Sequence, residues 1–379
     1  MKNYENYDVI IVGAGPYGAV YSQQCRENGL IPLIIDKRQH IAGNTYTEEI
    51  EGINVHKYGA HIFHTSNKNV WNYLHNYATF NNYINSPKAN YKGKLYSLPF
   101  NMNTFYELYG ATTPDEAKKA IFEDSKEYSH IVNPKNLEEQ ALKLGGKKLY
   151  ETLIKGYTEK QWGRNPIDLP PEIIKRLPFR FIFDNNYFND PYQGIPIGGY
   201  TKLFKNIIGD NDVRLGVDFY DVKDEIINSG KPVIFSGKID EFFDYKFGML
   251  EYRSLRFENK VYDVENYQGN AVINYTDKDI PYTRIIEHKH FEFNKSPKTV
   301  VSKEFSIDYK KGEDAYYPVN DDFNNNKYKK YKDFAESNHK NINFRGRLAE
   351  YKYYDMNVVI EKAISDFSKD KTKIFFKNE

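Results

Sequence analysis

Val9, Ile10, Ile11 and Val12 run without a polar break and end in Gly13-Ala14-Gly15-Pro16-Tyr17-Gly18. An unbroken apolar run closed by glycines predicts a fully buried parallel strand, a tight turn and a helix reaching about Glu27. A second apolar run, Pro32 to Ile35, predicts a strand that ends in Asp36. From Thr112 to about Gly163 the pattern turns helical. Thr113, Pro114 and Glu116 form a capping box with proline at the first helical position, and Asn136 with Glu139 marks another start. Leu149, Leu153 and Tyr157 repeat at the four-residue spacing of an amphipathic helix.

Between about Lys246 and Asp308 the period falls to two, as in Ala271 to Tyr275, Tyr282 to His288 and Val300 to Ile307, which predicts an antiparallel sheet. The tail returns to α/β patterning: a strand near Ile342 to Phe344, a turn at Gly346, then a helix after Asp355 with Val359, Ala363 and Phe367 on one side. The expected division is a discontinuous nucleotide-binding domain (1–84, 195–245 and 318–379), a helical substrate lobe (100–180) and an antiparallel sheet domain (85–99, 181–194 and 246–317). Gly163, Asn165, Pro166, Pro170 and Pro171 interrupt helix within 162–176, so this stretch is expected to move as a lid.

A chain of 379 residues exceeds what one core usually organises, in keeping with several lobes. Lys plus Arg number 53 and Asp plus Glu 52, a balance that argues against a surface made for nucleic acid or anionic membrane. The single cysteine, Cys25, excludes an intramolecular disulfide framework and fits a reducing, cytoplasmic compartment. No apolar run approaches the length of a membrane span. The Lys and Tyr run from Lys327 to Lys332 reads as a solvated helical face. Tyrosine is abundant, at 34, and becomes informative only where it clusters with other chemistry.

The glycines have mechanical roles. Gly13 permits the turn, Gly15 lets the backbone approach a pyrophosphate, and Gly18 lets helix and strand pack closely. Ala14 lies between them, and the helix N-terminus offers unpaired amides to phosphate. Asp36 follows Gly13 by 23 residues (36 − 13), the spacing of an acid that accepts a ribose hydroxyl. Lys37, Arg38, His40, Gly43 and Asn44 then form a second glycine-bearing loop, a segment that resembles flavoproteins of the amine-oxidase type, so FAD is favoured over NAD.

Six further blocks resemble the bacterial UDP-galactopyranose mutase family: Tyr58 to Thr65, Gly156 to Gly163, Gly198 to Thr201, Glu251 to Leu255, Pro281 to Glu287, and Gly346 to Ala349 with Tyr353 to Met356. The resemblance implies an α/β fold, with an FAD-binding Rossmann-type domain, an inserted helical lobe and an antiparallel β-sheet domain. It places His61 and His64 by the flavin, and Arg347, Asp355 and Met356 on the C-terminal side of the FAD site. It makes Arg176 and Arg284 the pair that grips the diphosphate, Tyr157, Trp162, Tyr187, Phe188 and Asn274 uridine-side positions, and Tyr317 and Tyr353 phosphate-binding tyrosines. Two departures stand out: Ile41-Ala42-Gly43-Asn44 replaces the usual paired glycines, and Leu153-Ile154 replaces aromatic residues found in some members.

The implied reaction interconverts UDP-galactopyranose and UDP-galactofuranose, or their N-acetylgalactosamine forms, for cell-surface polysaccharide, by covalent catalysis through N5 of reduced FAD. Arg176, Arg284 and His64 are the expected catalytic groups. A flavin nucleophile explains why no side-chain nucleophile with a partnered base is found. A reductant such as NADPH or a flavin reductase and a homodimeric state are also expected. No metal is expected at His61 and His64, because neither cysteine nor a nearby acid completes a ligand set, and His288 and His290 read as surface or structural residues alternating on the sheet. The rival readings are an amine-oxidase-like FAD-dependent oxidoreductase, marked by net electron flow and indifference to UDP, and a non-catalytic sugar-nucleotide sensor, which would bind without isomerising.

Overall fold

The computed structural model describes residues 4–174 and 179–375. Strand Val9–Val12 (β1), helix Pro16–Glu27 (α1) and strand Pro32–Asp36 (β2) form as the apolar pattern predicts. They belong to a five-stranded parallel sheet in the order Ile342–Phe344, Val233–Phe235, β1, β2, Asp212–Leu215. All four β1 residues are buried, as expected for a central strand covered on both faces. Helix Met356–Asp370 returns from the tail to pack on α1, where Tyr17 and Tyr21 donate to Asp366 at 3.0 Å and Asp370 at 3.1 Å.

The second sheet has seven strands, in the order Tyr317–Pro318, Tyr252–Tyr262, Thr299–Asp308, Arg284–Glu287, Val272–Tyr275, Lys88–Tyr91, Lys94–Ser97. It is antiparallel except where Val272–Tyr275 runs parallel to Lys88–Tyr91. The alternation seen from 271 to 275 reports a half-buried strand but carries no direction, so this one parallel join is not visible in the pattern. Tyr192–Gly194, within the 181–194 stretch, pairs instead with Phe63–Thr65 in a separate two-stranded ribbon. His288 and His290 do not alternate on the sheet: they lie in the 3-10 turn His288–Glu292, where His288 is buried and hydrogen-bonds Ser302 at 2.6 Å.

The helical lobe comprises Met102–Tyr109, Pro114–Ser125, Leu137–Leu149 and Lys155–Trp162 around a core that includes Phe105, Ile121, Leu137, Leu149 and Leu153. Thr113 and Glu116 make the reciprocal capping bonds, and Asn136 accepts from the Glu139 amide. The spacing of Leu149, Leu153 and Tyr157 predicts one continuous α-helix, but residues Tyr150–Ile154 form a π-helical turn. A π turn adds a residue per turn and so rotates the next helix about its axis. Leu149 and Leu153 therefore point into the lobe core, while Tyr157 faces the seven-stranded sheet and accepts a hydrogen bond there from Arg284. In the stretch expected to be a lid, Pro166–Asp168 and Pro171–Ile173 are single 3-10 turns, and Arg176 lies outside the described residues.

Candidate functional site

A cavity opens at the C-terminal end of the parallel sheet, on the turn between β1 and α1. Gly13, Gly15 and Gly18 line it; the backbone of Gly13 disfavours a side chain, and Gly18 has no room for one. A Cβ on Gly13, which has φ +110°, would lie 2.2 Å from Ser236 Oγ, and one on Gly18 would lie 2.0 Å from the Gly13 carbonyl oxygen. Chain and helix N-terminus thus form an open, amide-lined cradle of the kind that receives a pyrophosphate. Asp36 is aimed by two amides: one carboxylate oxygen accepts from Ala14 at 2.7 Å and the other from Arg38 at 2.9 Å. Each oxygen keeps a lone pair for a ribose hydroxyl.

Lys37, Arg38, Gly43 and Asn44 form the wall beyond Asp36. The Arg38 guanidinium lies 4.5 Å over the Tyr58 ring, donates to Asn44 at 3.0 Å and pairs with Asp314 at 2.9 Å, tying this loop to a distant one. Ala42, where the resemblance leads one to expect glycine, takes a left-handed φ of 70° and is fully buried. Its amide donates to the Ala14 carbonyl at 2.8 Å, and this bond holds Gly43 against Gly15. His61, Arg347 and Met356 close the cavity on the far side, and Asp355 immediately precedes the helix that carries Met356.

Arg284 stands at the centre of a second group. Its cross-strand neighbour is Glu304, a buried carboxylate 2.8 Å from Nε that also accepts from the Thr283 hydroxyl at 2.9 Å. Burial by itself would lower the Arg284 pKa, but Glu304 and the surrounding tyrosines raise it, so the guanidinium stays charged. Its NH2 donates to the Tyr157 hydroxyl at 3.2 Å. Tyr187, Tyr317 and Tyr353 lie in the same electrostatic neighbourhood, with the Tyr317 and Tyr353 rings 5.7 Å apart. Burial raises the pKa of all three, which keeps them hydroxyl donors. Tyr316, by contrast, is buried beside Phe257. Asn274 is the other cross-strand neighbour of Arg284, and its side-chain oxygen is buried with no hydrogen-bond partner. This acceptor is free to take a donor from a ligand or an ordered water.

His61 joins the two groups. Burial pulls its pKa down to about 4 despite a 2.8 Å bond to the Gly59 carbonyl, and the charges of Arg347 and Arg284 act in the same direction as burial. It is therefore a neutral imidazole between the cavity and the guanidinium. His64 is not on the cavity wall among the described residues. Its Nδ1 is 2.6 Å from Asp190, and its ring stacks on Phe188 at 3.7 Å. Trp162 packs on the core of the helical lobe. Glu304 and Asp190 carry no sequence signal: each sits 20 or more positions from the residue it orients, in an unremarkable strand or turn.

The sequence profile of the UDP-galactopyranose mutase family matches residues 152–353, and that of NAD(P)-binding Rossmann-like domains matches residues 11–77. The chain is 45% identical to a dTDP-fucopyranose mutase of Escherichia coli, over 94% of this chain and 96% of that one. It is 43% identical to a probable UDP-galactopyranose mutase of Klebsiella pneumoniae, over 95% of this chain and 93% of the relative. Among solved structures, a reduced UDP-galactopyranose mutase superposes with a TM-score of 0.71, covering 97% of this chain and 94% of the other at 13% identity. A putrescine oxidase gives 0.56 over 96% and 98%, also at 13% identity.

Proposed function

Because the chain belongs to the UDP-galactopyranose mutase family, we propose that it interconverts the pyranose and furanose forms of a nucleotide-linked, galactose-type sugar on reduced FAD. The observation that supports this reading is the Arg284 group: a half-buried, charged guanidinium among tyrosine hydroxyls, joined through His61 to a dinucleotide cradle. Two anionic ligands meeting end to end, a dinucleotide and a sugar diphosphate, account for both halves.

The cradle suits FAD, since the left-handed Gly13 and the tightly packed Gly18 bring the helix N-terminus close to β1 and Asp36 is pre-aimed for a ribose. Gly13, Gly15, Asp36, Arg38, Arg347 and Met356 would hold the cofactor. When bound and reduced, FAD supplies the nucleophile that retains the sugar while the nucleotide is detached. The chain's own groups have different tasks. Arg284, with Arg176, binds and steadies the leaving diphosphate. Tyr157, Tyr317 and Tyr353 donate to its oxygens. Asn274 accepts from the nucleoside, and Tyr187 with Phe188 walls the site against water. A reductant such as NADPH or a flavin reductase keeps the cofactor in the active state.

A second reading of the substrate has support of its own, since the dTDP-fucopyranose mutase is a full-length relative as similar as the UDP-galactopyranose mutase. Chemically reduced, FAD-loaded protein should therefore be given UDP-galactofuranose, its N-acetylated counterpart and dTDP-fucofuranose, with products resolved by chromatography. Conversion of one of these to its pyranose form is the expected result. Failure with all three, or turnover by the oxidised protein at the same rate, would refute the proposal.

A further inference from the structure

Helix Lys155–Trp162 is fastened along one face to the turn between strands Val272–Tyr275 and Arg284–Glu287. One helical turn earlier, the Thr152 carbonyl accepts from the Thr276 hydroxyl at 2.7 Å. At Gly156 the two backbones touch, because a Cβ there would lie 2.4 Å from the Thr276 carbonyl oxygen. Glu159 pairs with Lys278 at 3.4 Å. In the middle of the turn sits the Lys160 ammonium, within hydrogen-bond distance of four backbone carbonyls: Tyr275 and Asp277 at 2.7 Å each, Ile280 at 3.0 Å and Tyr282 at 3.1 Å.

Four converging carbonyls form a shell that a cation fills and a neutral group does not, since each would otherwise face its neighbours' negative ends. The turn so held is the one that connects Asn274 to Arg284, and the helix so held carries Tyr157, the hydrogen-bond partner of Arg284. We propose that Lys160 is a positioning residue for nucleotide binding: its ammonium sets the spacing between Tyr157 on the helix and the Asn274–Arg284 pair on the sheet. The inference rests on the functional reading above, because it assumes that this pair receives a nucleoside diphosphate.

Burial pulls the Lys160 pKa down to about 8, opposed by Asp277, so the shell loses its charge at mildly alkaline pH. Asp277 is the charged group that acts on the ammonium, and the other titratable or charged groups on the elements packed around it are the Glu159–Lys278 pair, Tyr275, Tyr282 and the Arg253–Asp308 pair. Tyr275 is pushed up to about 12 by burial and by Tyr282 and stays neutral in that range. Arg253 donates to the Gln161 carbonyl at 3.1 Å and stays charged.

FAD-loaded wild type and Lys160→Met should be titrated calorimetrically with UDP and with dTDP from pH 7 to 9. If only the charged form is binding-competent, wild-type affinity for the tighter ligand falls about tenfold across that range. Lys160→Met should bind at least tenfold more weakly than wild type at pH 7, with the alkaline loss gone and FAD content unchanged. Wild-type affinity in Lys160→Met, or the same alkaline loss in it, would overturn the proposal. Should that variant not fold, Lys160→Arg serves: arginine keeps its charge, so the alkaline loss must vanish, and its persistence would overturn the proposal equally. Wild type that binds neither nucleotide at pH 7 overturns the functional reading and this inference together. Wild type that binds with flat affinity from pH 7 to 9 overturns this inference alone.

Discussion

A guanidinium in a buried site needs its charge answered, and Glu304 does this for Arg284 from the adjacent strand. Glu304→Gln keeps the shape but removes the countercharge. Hydrogen bonds to charged groups contribute about 1.5–3 kcal/mol, so mutase turnover should fall roughly 10- to 100-fold with FAD content unchanged. Arg284→Ala should lose more still, and Tyr187→Phe, which removes only one neutral hydroxyl, should lose least. Steady-state kinetics on the reduced proteins check this order, and a wild-type rate in Glu304→Gln would remove that residue from the machinery. Ala42 is a departure from the pattern that the resemblance leads one to expect. A left-handed alanine is strained by about 1–2 kcal/mol, but glycine there would free the unfolded chain by about 0.4–1 kcal/mol, and the methyl group is fully buried. The strain is the larger effect, and the lower chain entropy and the buried methyl group offset only part of it.

At the scale of elements, the contact between β1 and α1 leaves no space for a larger residue at Gly18. A Cβ on Gly18 would meet the Gly13 carbonyl at 2.0 Å and Ile11 at 3.2 Å, so Gly18→Ala must push the helix off the strand. Overpacking of this kind costs about 1–3 kcal/mol and moves the amides away from a pyrophosphate. The variant should purify with little or no flavin absorbance, and a fully yellow preparation would contradict the assignment of the cradle. This unit was legible in the sequence because strand, turn, helix and Asp36 fall within 28 consecutive residues, Val9 to Asp36, and each has its own period or glycine. Other elements were not. The spacing of Leu149, Leu153 and Tyr157 fits an α-helix and says nothing of the π turn that swings Tyr157 out of register. Arg284 was recognisable from its block, whereas Glu304 and Lys160 draw their meaning from partners that only the folded sheet brings near. Asp190 was missed for the same reason, and with it the acidic neighbour of His64.

Over the whole molecule, a chain of histidines runs from the cavity wall to the seven-stranded sheet: the His61 amide donates to His56, and the His56 amide donates to His288, each at 3.2 Å, and His288 bonds Ser302 on the sheet. Burial drives His56 well below its ordinary value and His288 down to about 3, the first helped by its histidine neighbours and the second by Lys57. Both stay neutral in the folded protein but take up protons when unfolded below pH 6.5. Their stabilisation is complete above 6.5 and is lost as pH falls, at about 1.4 kcal/mol per pH unit for each. The urea midpoint should therefore be clearly lower at pH 5 than at pH 7, and equal midpoints would show that these histidines are not held neutral. The parallel sheet has a consequence for how the protein is made. Its edge strand Ile342–Phe344, and the helix that buries the outer face of α1, are translated more than 300 residues after β1. While the ribosome works through the lobe, β1 and β2 wait for Asp212–Leu215 and Val233–Phe235, and Val233–Phe235 then waits through the second sheet for Ile342–Phe344, each with an exposed flank prone to faulty pairing. Synthesis rate and chaperone supply, more than the strength of any one contact, should then limit the yield of cofactor-competent protein in a cell.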